Sequence, residues 1–356
     1  MTDLTIIIPW YNSKEKSLNL FRQIDKYCGS KKKEAVSFII VNDGSDKDQS
    51  SFLEKRFDNL APVSIISQVN KGPGGARNTG LEAANSKYIW FVDADDSIDL
   101  ENVVSELKIL ASESEIDFVD FNIDKKGVSS NSTGLEVGAY GVESRLKLLK
   151  RFGRVVTKIF RRNFLLDNNY LFPEFCVFED NYLILLLPLS VKRFYVSGKT
   201  AYYHNVSSHS VTRQPLHPRY YDRLFTALAG WERAIEFNLS AEFNEVLKYK
   251  FRSLFFSITL KKMLLDEEGR QCIRDLIKSY LFAVNKIEPN SDMNCERKWV
   301  NKTLLACADE NQCFSCISSL PGEKGWLPSS HSLEDFKRIR DSDWGSNILF
   351  PGSGVR

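Results

Sequence analysis

Three carboxylates, Asp93, Asp95 and Asp96, crowd into four positions directly behind an apolar run of strand formers at residues 88–92. Clustered carboxylates repel and raise one another's proton affinity, so such a group calls for a positive partner. A divalent cation taking oxygen ligands is one such partner. A solvated acidic turn, with Asp96 and Ser97 capping the helix that follows, is the other reading these residues permit. A second acidic pair, Glu179-Asp180, precedes the apolar run of residues 183–189. A carboxylate there can serve as a general base if it lies within about 3 Å of the hydroxyl it deprotonates. Equally, the pair can cap the helix that carries the run. Between the two acidic groups lies a glycine-rich stretch at residues 70–78, with Gly72, Gly74, Gly75 and then Arg77. Its glycines would let the backbone approach a phosphate closely, and Arg77 supplies a fixed cation. The spacing is neither that of a Walker loop nor that of a dinucleotide fingerprint. A loop that needs glycine only for its turn is the plainer alternative.

These groups must be positioned by the elements around them. Residues 4–8, 36–41, 63–67 and 88–92 read as buried strands, and residues 15–27, 46–57, 81–84 and 100–111 as helices between and after them. Strands alternating with helices at this period predict an α/β fold with a parallel sheet and right-handed crossovers. Ligands of such sheets bind beyond the carboxyl ends of the strands. Each of those ends carries polar chemistry here: Tyr11 and Asn12, Asp43, residues 70–77, and Asp93 to Asp96. Residues 117–123 read as another strand and residues 127–141 as a mobile loop. From about residue 218 the pattern turns helical, over residues 221–236, 241–265 and 268–284. Within residues 248–265, Lys248, Lys250, Arg252, Lys261 and Lys262 flank apolar Phe251, Leu254, Phe255, Ile258 and Met263. Such a basic amphipathic helix can rest on an anionic membrane, or pack inward with its lysines in water. Residues 286–356 show no periodicity.

The series Ile8-Pro9-Trp10-Tyr11-Asn12, Val41-Asn42-Asp43-Gly44-Ser45, residues 70–78, and Phe91-Val92-Asp93-Ala94-Asp95-Asp96 resembles the family 2 glycosyltransferases with a GT-A fold. The match is dense over residues 1–110, although Trp10 stands where a small or β-branched residue is more usual. Residues 155–164 continue it with a Lys-aliphatic-aromatic-Arg segment, Lys158 to Arg161, lacking the tryptophan that usually precedes it. The resemblance implies a Rossmann-like, mostly parallel sheet flanked by helices, a nucleotide-sugar donor, and Mn2+ or Mg2+. By the same analogy Pro9 and Tyr11 hold base and ribose, and Asp43 accepts from the base imide. Asn70 and Arg77 line the nucleotide, with Gly75 beside them. Asp95 is the favoured metal ligand, and Asp93 a second ligand, a ribose contact or a partner of metal-bound water. Asp180 becomes the base of an inverting transfer. Ser210 and Arg213 match a loop that closes over the diphosphate, and His209 or His204 could add an imidazole metal ligand.

The expected organisation is a catalytic domain over residues 1–215 and a mainly helical region over 216–356. The expected activity moves a sugar from a UDP-sugar to a saccharide acceptor, which can be lipid-linked, in surface-polysaccharide assembly. A nucleotidyltransferase would carry its glycine-rich loop after the first strand, where this chain has Pro9 to Asn12. A non-catalytic nucleotide- or saccharide-binding module would not need a base such as Asp180. A formal net charge of +2 gives no case for nucleic acid. The sequence shows neither an export signal nor an apolar run near the roughly 18 residues of a membrane span. A cytoplasmic protein is expected, meeting the inner face of the membrane peripherally if at all. Seven cysteines then read as reduced thiols, and Cys295, Cys307, Cys313 and Cys316 lack the second tight pair of a zinc site.

Overall fold

The computed structural model describes residues 3–30, 35–112, 116–205 and 222–264, and beyond them residues 277, 280, 281, 284, 285, 290 and 292–307. His209, Ser210, Arg213, Cys313, Cys316, the boundary at residue 215 and most of the helix expected over 268–284 lie outside these residues. The described residues of Met1–Ser208 form one compact unit and those of His209–Ile348 another.

The first unit is a sheet with helices between its strands. Its strands in chain order are β1 (Leu4–Trp10), β2 (Val36–Asp43), β3 (Val63–Gln68), β4 (Tyr88–Phe91) and β5 (Ser97–Ile98). They continue as β6 (Phe118–Lys125), β7 (Val128–Ser130), β8 (Gly138–Tyr140), β9 (Lys158–Arg161) and β10 (Phe194–Tyr203). The helices are α1 (Leu18–Cys28), α2 (Lys47–Phe57), α3 (Gly72–Ala83), α4 (Leu100–Ser112), α5 (Arg145–Lys150), α6 (Arg162–Asp167) and α7 (Asp180–Ser190). The strand order is β3-β2-β1-β4-β9-β6-β10-β5, with β7 on β6 and β8 on β10. Ladders β1–β2, β1–β4, β2–β3 and β6–β10 are parallel, whereas β9 runs antiparallel to both β4 and β6. The six strands β1 to β4, β6 and β10 therefore share one direction, with short strands inserted against them.

The chain winds from β1 out to β3, then returns to place β4 on the other side of β1. That reversal opens a crevice beyond the carboxyl ends of β1 and β4, where ligands of open α/β sheets bind. The strands hold this geometry because they are apolar on both faces: Leu4, Ile6, Ile7, Ile8, Ile40, Trp90 and Phe91 are all fully buried. Trp10 is buried too, and its indole N–H donates to Ser17 Oγ at 3.2 Å, so the bulkier residue is absorbed into the core.

Two expectations are corrected. Residues 127–141 are not a plain loop, because β7 and β8 pair with β6 and β10 there. The glycine-rich stretch is not a loop before a helix at 81–84, since α3 already begins at Gly72 with a proline in its first turn. The apolar run of residues 183–189 is helical through Pro188, to Ser190.

The second unit contains α8 (Asp222–Ala234), α9 (Ala241–Lys250), a π-helical segment Phe251–Phe256, α10 (Ser257–Leu264) and a helix Met293–Cys307. That last helix falls in the part of the sequence without visible periodicity. The basic face of residues 248–265 does not wholly face water, because Lys248 and Lys250 are buried. Glu296 explains part of this: it pairs with Arg252 and with Lys248 Nζ at 3.4 Å, and accepts from Tyr280 Oη at 3.0 Å. Phe251, Phe256 and Tyr280 stack around the same cluster. Cys28 and Cys176 are buried and Cys295 is exposed. Among the described residues no helix is long and apolar enough to cross a membrane.

Candidate active site

The crevice beyond β1 and β4 is built from four strand ends and two helix starts. β1 hands over to Tyr11, half exposed at 51%, and to Asn12 in a left-handed turn. Asn12 bonds across to the next strand end: its Oδ1 accepts from Asp46 N at 2.9 Å, and its N–H reaches Ser45 Oγ at 3.0 Å. β2 ends in Asp43, which is 3% exposed and accepts on Oδ1 from Gln68 Nε2 at 2.7 Å and Lys71 N at 2.8 Å. Burial pushes the Asp43 carboxyl up despite these donors. Gly44 follows with φ +73, a conformation that suits glycine, and a Cβ there would meet Asn70 N at 2.7 Å. Asn70 is exposed, and its Oδ1 accepts from Gly72 N at 3.2 Å.

Helix α3 carries the central cation. Arg77 Nη2 donates to Asp93 Oδ1 at 2.7 Å, its Nη1 pairs with Glu179, and its guanidinium lies 5.2 Å from the centre of the Phe172 ring. The Arg77 side chain is 7% exposed. Burial disfavours the charge, yet Glu179 and Asp93 outweigh it and hold the Arg77 pKa above its ordinary value. Glu179 is itself pushed up by burial against the opposing pull of Arg77. An arginine expected to line the nucleotide thus already has both arms of its fork on carboxylates.

The glycines of α3 sit in close quarters. A Cβ on Gly74 would stand 2.0 Å from Pro173 O, and one on Gly75 2.4 Å from the Lys71 side chain. Both positions are thus closely packed against protein atoms. Asn78 completes the contact: its Nδ2 donates to Phe172 O and its Oδ1 accepts from Phe172 N, both at 2.9 Å. Lys71 O accepts from Phe175 N at 2.5 Å. The segment leading to Glu179 and Asp180 is therefore clamped onto α3. Glu179 occupies the N-cap position of α7 without a side-chain cap bond, because its carboxylate goes to Arg77. Phe178 ahead of it sits at φ +61, a strained conformation for that residue.

The acidic strand end resolves into three different roles. Asp96 is buried and fully engaged, accepting from Tyr202 Oη at 2.5 Å and Asn205 N at 2.8 Å, with His204 Nδ1 at 3.1 Å. It does not cap α4, where Asp99 accepts from Asn102 N at 2.9 Å instead. His204 is correspondingly a partner of Asp96, a bond that occupies Nδ1. Asp93 keeps a side chain 39% exposed beside its Arg77 contact. Asp95 is partly buried, and burial, followed by Asp93 and Asp96, pushes its carboxyl up to about 6.

Among the described residues no three His, Cys, Asp or Glu side chains converge as a cage for a metal. A hard cation that retains waters and binds substrate phosphates needs only one or two protein carboxylates. Asp95, its carboxyl raised by burial and then by Asp93 and Asp96, and the exposed side of Asp93 fit that requirement. Gln68, Thr79, Asn78, Phe172 and Tyr202 were not singled out in the sequence. Asn78 and Thr79 lie inside or beside the glycine-rich motif, whereas nothing local to Phe172 or Tyr202 reveals their partners some 90 to 110 positions away.

Residues 5–172 match the family described as Glycosyl transferase family 2. The chain is 33% identical over 121 residues to the uncharacterized glycosyltransferase YibD of Escherichia coli K12, covering 34% of each chain. It is 28% identical over 211 residues to poly(ribitol-phosphate) beta-N-acetylglucosaminyltransferase TarS of Staphylococcus aureus, covering 57% of this chain and 35% of TarS. The chain thus spans about a third of the length of these curated relatives. The crystal structure of TarS 1–349 superposes with a TM-score of 0.59 at 20% identity, covering 81% of this chain and 82% of that one. The same TarS segment has also been solved with UDP-GlcNAc, with a TM-score of 0.58 at 19% identity. At these identities the superpositions speak for the GT-A fold.

Proposed function

Residues 5–172 place the chain among the family 2 glycosyltransferases, and from that premise we propose that it transfers one sugar from a UDP-sugar to a saccharide acceptor with inversion. The observation that carries the reading is the shared cation: Arg77 bonds Asp93 at the end of β4 and Glu179 immediately before Asp180. One side chain thereby joins the strand end suited to a diphosphate to the helix start suited to a base. A UDP-sugar is favoured because the relative TarS has been solved with UDP and with UDP-GlcNAc.

In this reading Pro9 and Tyr11 flank the base and ribose, Asp43 accepts from the base, and Asn70 lines the nucleotide. Asp95, with Asp93, would hold Mn2+ or Mg2+, which when bound neutralises charge on the leaving diphosphate. Asp180 takes the proton of the acceptor hydroxyl. The hydroxyl oxygen bonds to the anomeric carbon while the bond from that carbon to the diphosphate breaks, its electron pair leaving with UDP. Arg77 and Glu179 position Asp180, and Gly75 leaves room for the Lys71 side chain at the start of α3. Ser210, Arg213 and His209 are proposed to complete the diphosphate and metal contacts, and residues 216–356 to serve the acceptor. Surface-polysaccharide assembly, with a lipid-linked acceptor at the inner face of the membrane, is the setting proposed.

Asp180→Asn should abolish transfer while UDP binding stays within a few-fold of wild type, measured by a donor-panel assay beside calorimetry. Ordinary turnover in that variant would remove Asp180 from the mechanism. Asp95→Ala should weaken donor binding only when the divalent ion is present, and an unchanged metal dependence would remove Asp95.

A further inference from the structure

We propose that Gln68, oriented by Thr79, is a positioning residue that commits one oxygen of Asp43 and so makes the site selective for a nucleobase presenting a ring N–H, as uracil does. The inference rests on the reading that Asp43 meets the base. Gln68 closes β3 and stands opposite Asp43 in the β2–β3 ladder. Its Nε2 donates to Asp43 Oδ1 at 2.7 Å, and its Oε1 accepts from Thr79 Oγ1 at 2.5 Å.

This arrangement has a single workable polarity. An ionised carboxylate only accepts, so the amide nitrogen must face Asp43 and the amide oxygen must face Thr79. Turning the amide over would set oxygen against oxygen on the Asp43 side. Thr79 therefore spends its hydroxyl proton on Gln68. Lys71 N, just ahead of α3, adds a second donor to the same Oδ1 at 2.8 Å. These two donors on Oδ1, with the Gly72 N–H also acting on the carboxylate, hold its plane, and Oδ2 is the oxygen that neither Gln68 nor Lys71 bonds.

An oxygen that can only accept discriminates between bases. Uracil offers N3–H and is accepted, whereas cytosine offers a bare N3 lone pair that faces another lone pair. A buried polar group left unpaired is what gives hydrogen-bonding sites their discrimination. Asp43 is 3% exposed, so water cannot readily relieve the mismatch. Burial already favours the protonated carboxyl, and Gln68 is one of the donors opposing that tendency. Without Gln68 the carboxyl could rotate or take up a proton, and would then accommodate cytosine as well as uracil.

The test is calorimetric titration of the full chain with UDP and with CDP at pH 7.5 in Mg2+, for wild type, Gln68→Met, Thr79→Val and Asp43→Asn. The UDP preference of wild type should fall at least tenfold in Gln68→Met and several-fold in Thr79→Val. Asp43→Asn should lose the preference altogether. A preference unchanged in both Gln68→Met and Thr79→Val, while Asp43→Asn loses it, overturns the positioning role and leaves the base-binding reading standing. A preference unchanged in Asp43→Asn overturns both. Thr79→Val conserves shape and supplies the result should Gln68→Met fail to fold.

Discussion

Asp95 is the residue at which the site's electrostatics are most directly measurable. Its carboxyl sits at about 6 against an ordinary 3.8, because it is buried and faces Asp93 and Asp96. The folded protein therefore binds more protons than the unfolded chain between those values, and stability falls as pH rises through that window. A divalent cation relieves the same repulsion and competes with the proton. Mn2+ affinity in the presence of UDP should be flat above pH 7 and fall by about tenfold per unit below pH 6. Calorimetry at pH 5, 6 and 7.5 measures this, with proton release read from buffers of different ionisation enthalpy. Equal affinity at pH 5 and 7.5 would exclude Asp95 as the ligand. Arg77 calls for a different experiment. Lysine preserves its charge but cannot present a fork to Asp93 and Glu179 at once. Arg77→Lys should lower kcat by about 10- to 100-fold, the cost of a misplaced catalytic group, with UDP affinity changed little. A loss confined to UDP affinity would instead return Arg77 to the nucleotide-lining role.

At the scale of elements, α3 is the platform on which the candidate base is mounted. Gly74 lets Pro173 O approach to a distance no Cβ tolerates, and Asn78 clamps the backbone of Phe172 from both sides. Gly74→Ala should therefore destabilise the protein by about 1–3 kcal/mol, the usual effect of overpacking, and lower kcat as residues 172–180 shift. Gly29→Ala is the matched control, since its Cβ meets nothing closer than 3.5 Å. Thermal melts beside single-turnover rates check both, and equal behaviour of the two variants would sink the platform argument. This is also where sequence and structure part company. The strands and the polar residues at their carboxyl ends were legible because apolar runs and breakers are local signals. Asp43 and Asp93 were legible as acids at strand ends, Arg77 as a cation in the glycine-rich motif, and Glu179 as an acid at a helix start. What each glycine touches was not legible, because Pro173 lies 99 positions from Gly74 and no periodicity links them. Asp96 was misread for a similar reason: its partners Tyr202, His204 and Asn205 reach it from the far end of β10.

At the scale of the whole molecule, the residues of the proposed chemistry that are described fall within the unit Met1–Ser208. The second unit is built on a different principle, with a charge cluster set among stacked aromatic rings. An amphipathic pattern locates a basic face, but it does not reveal the acid that neutralises it. One such acid among the described residues is Glu296, on a helix the pattern missed, and its side chain is 4% exposed where it meets Lys248 and Arg252. Removing one partner of a buried ion pair costs about 3–5 kcal/mol. The lower end applies here, because the Arg252 side chain keeps 21% exposure. Glu296→Ala should strip hydrogen-exchange protection from residues 241–264 and 293–307, whereas Glu296→Gln, which can still accept from Tyr280 and Arg252, should lose less. Protection unchanged in Glu296→Ala would mean that the aromatic stacking of Phe251, Phe256 and Tyr280 holds these helices without the charges. In Glu296→Ala the basic face should also bind anionic vesicles more tightly than in wild type, since Arg252 would give up that carboxylate. Vesicle co-sedimentation at two salt concentrations reads that gain, which should shrink as salt rises. No gain in vesicle binding would show that Arg252 stays inside the helical unit even without Glu296.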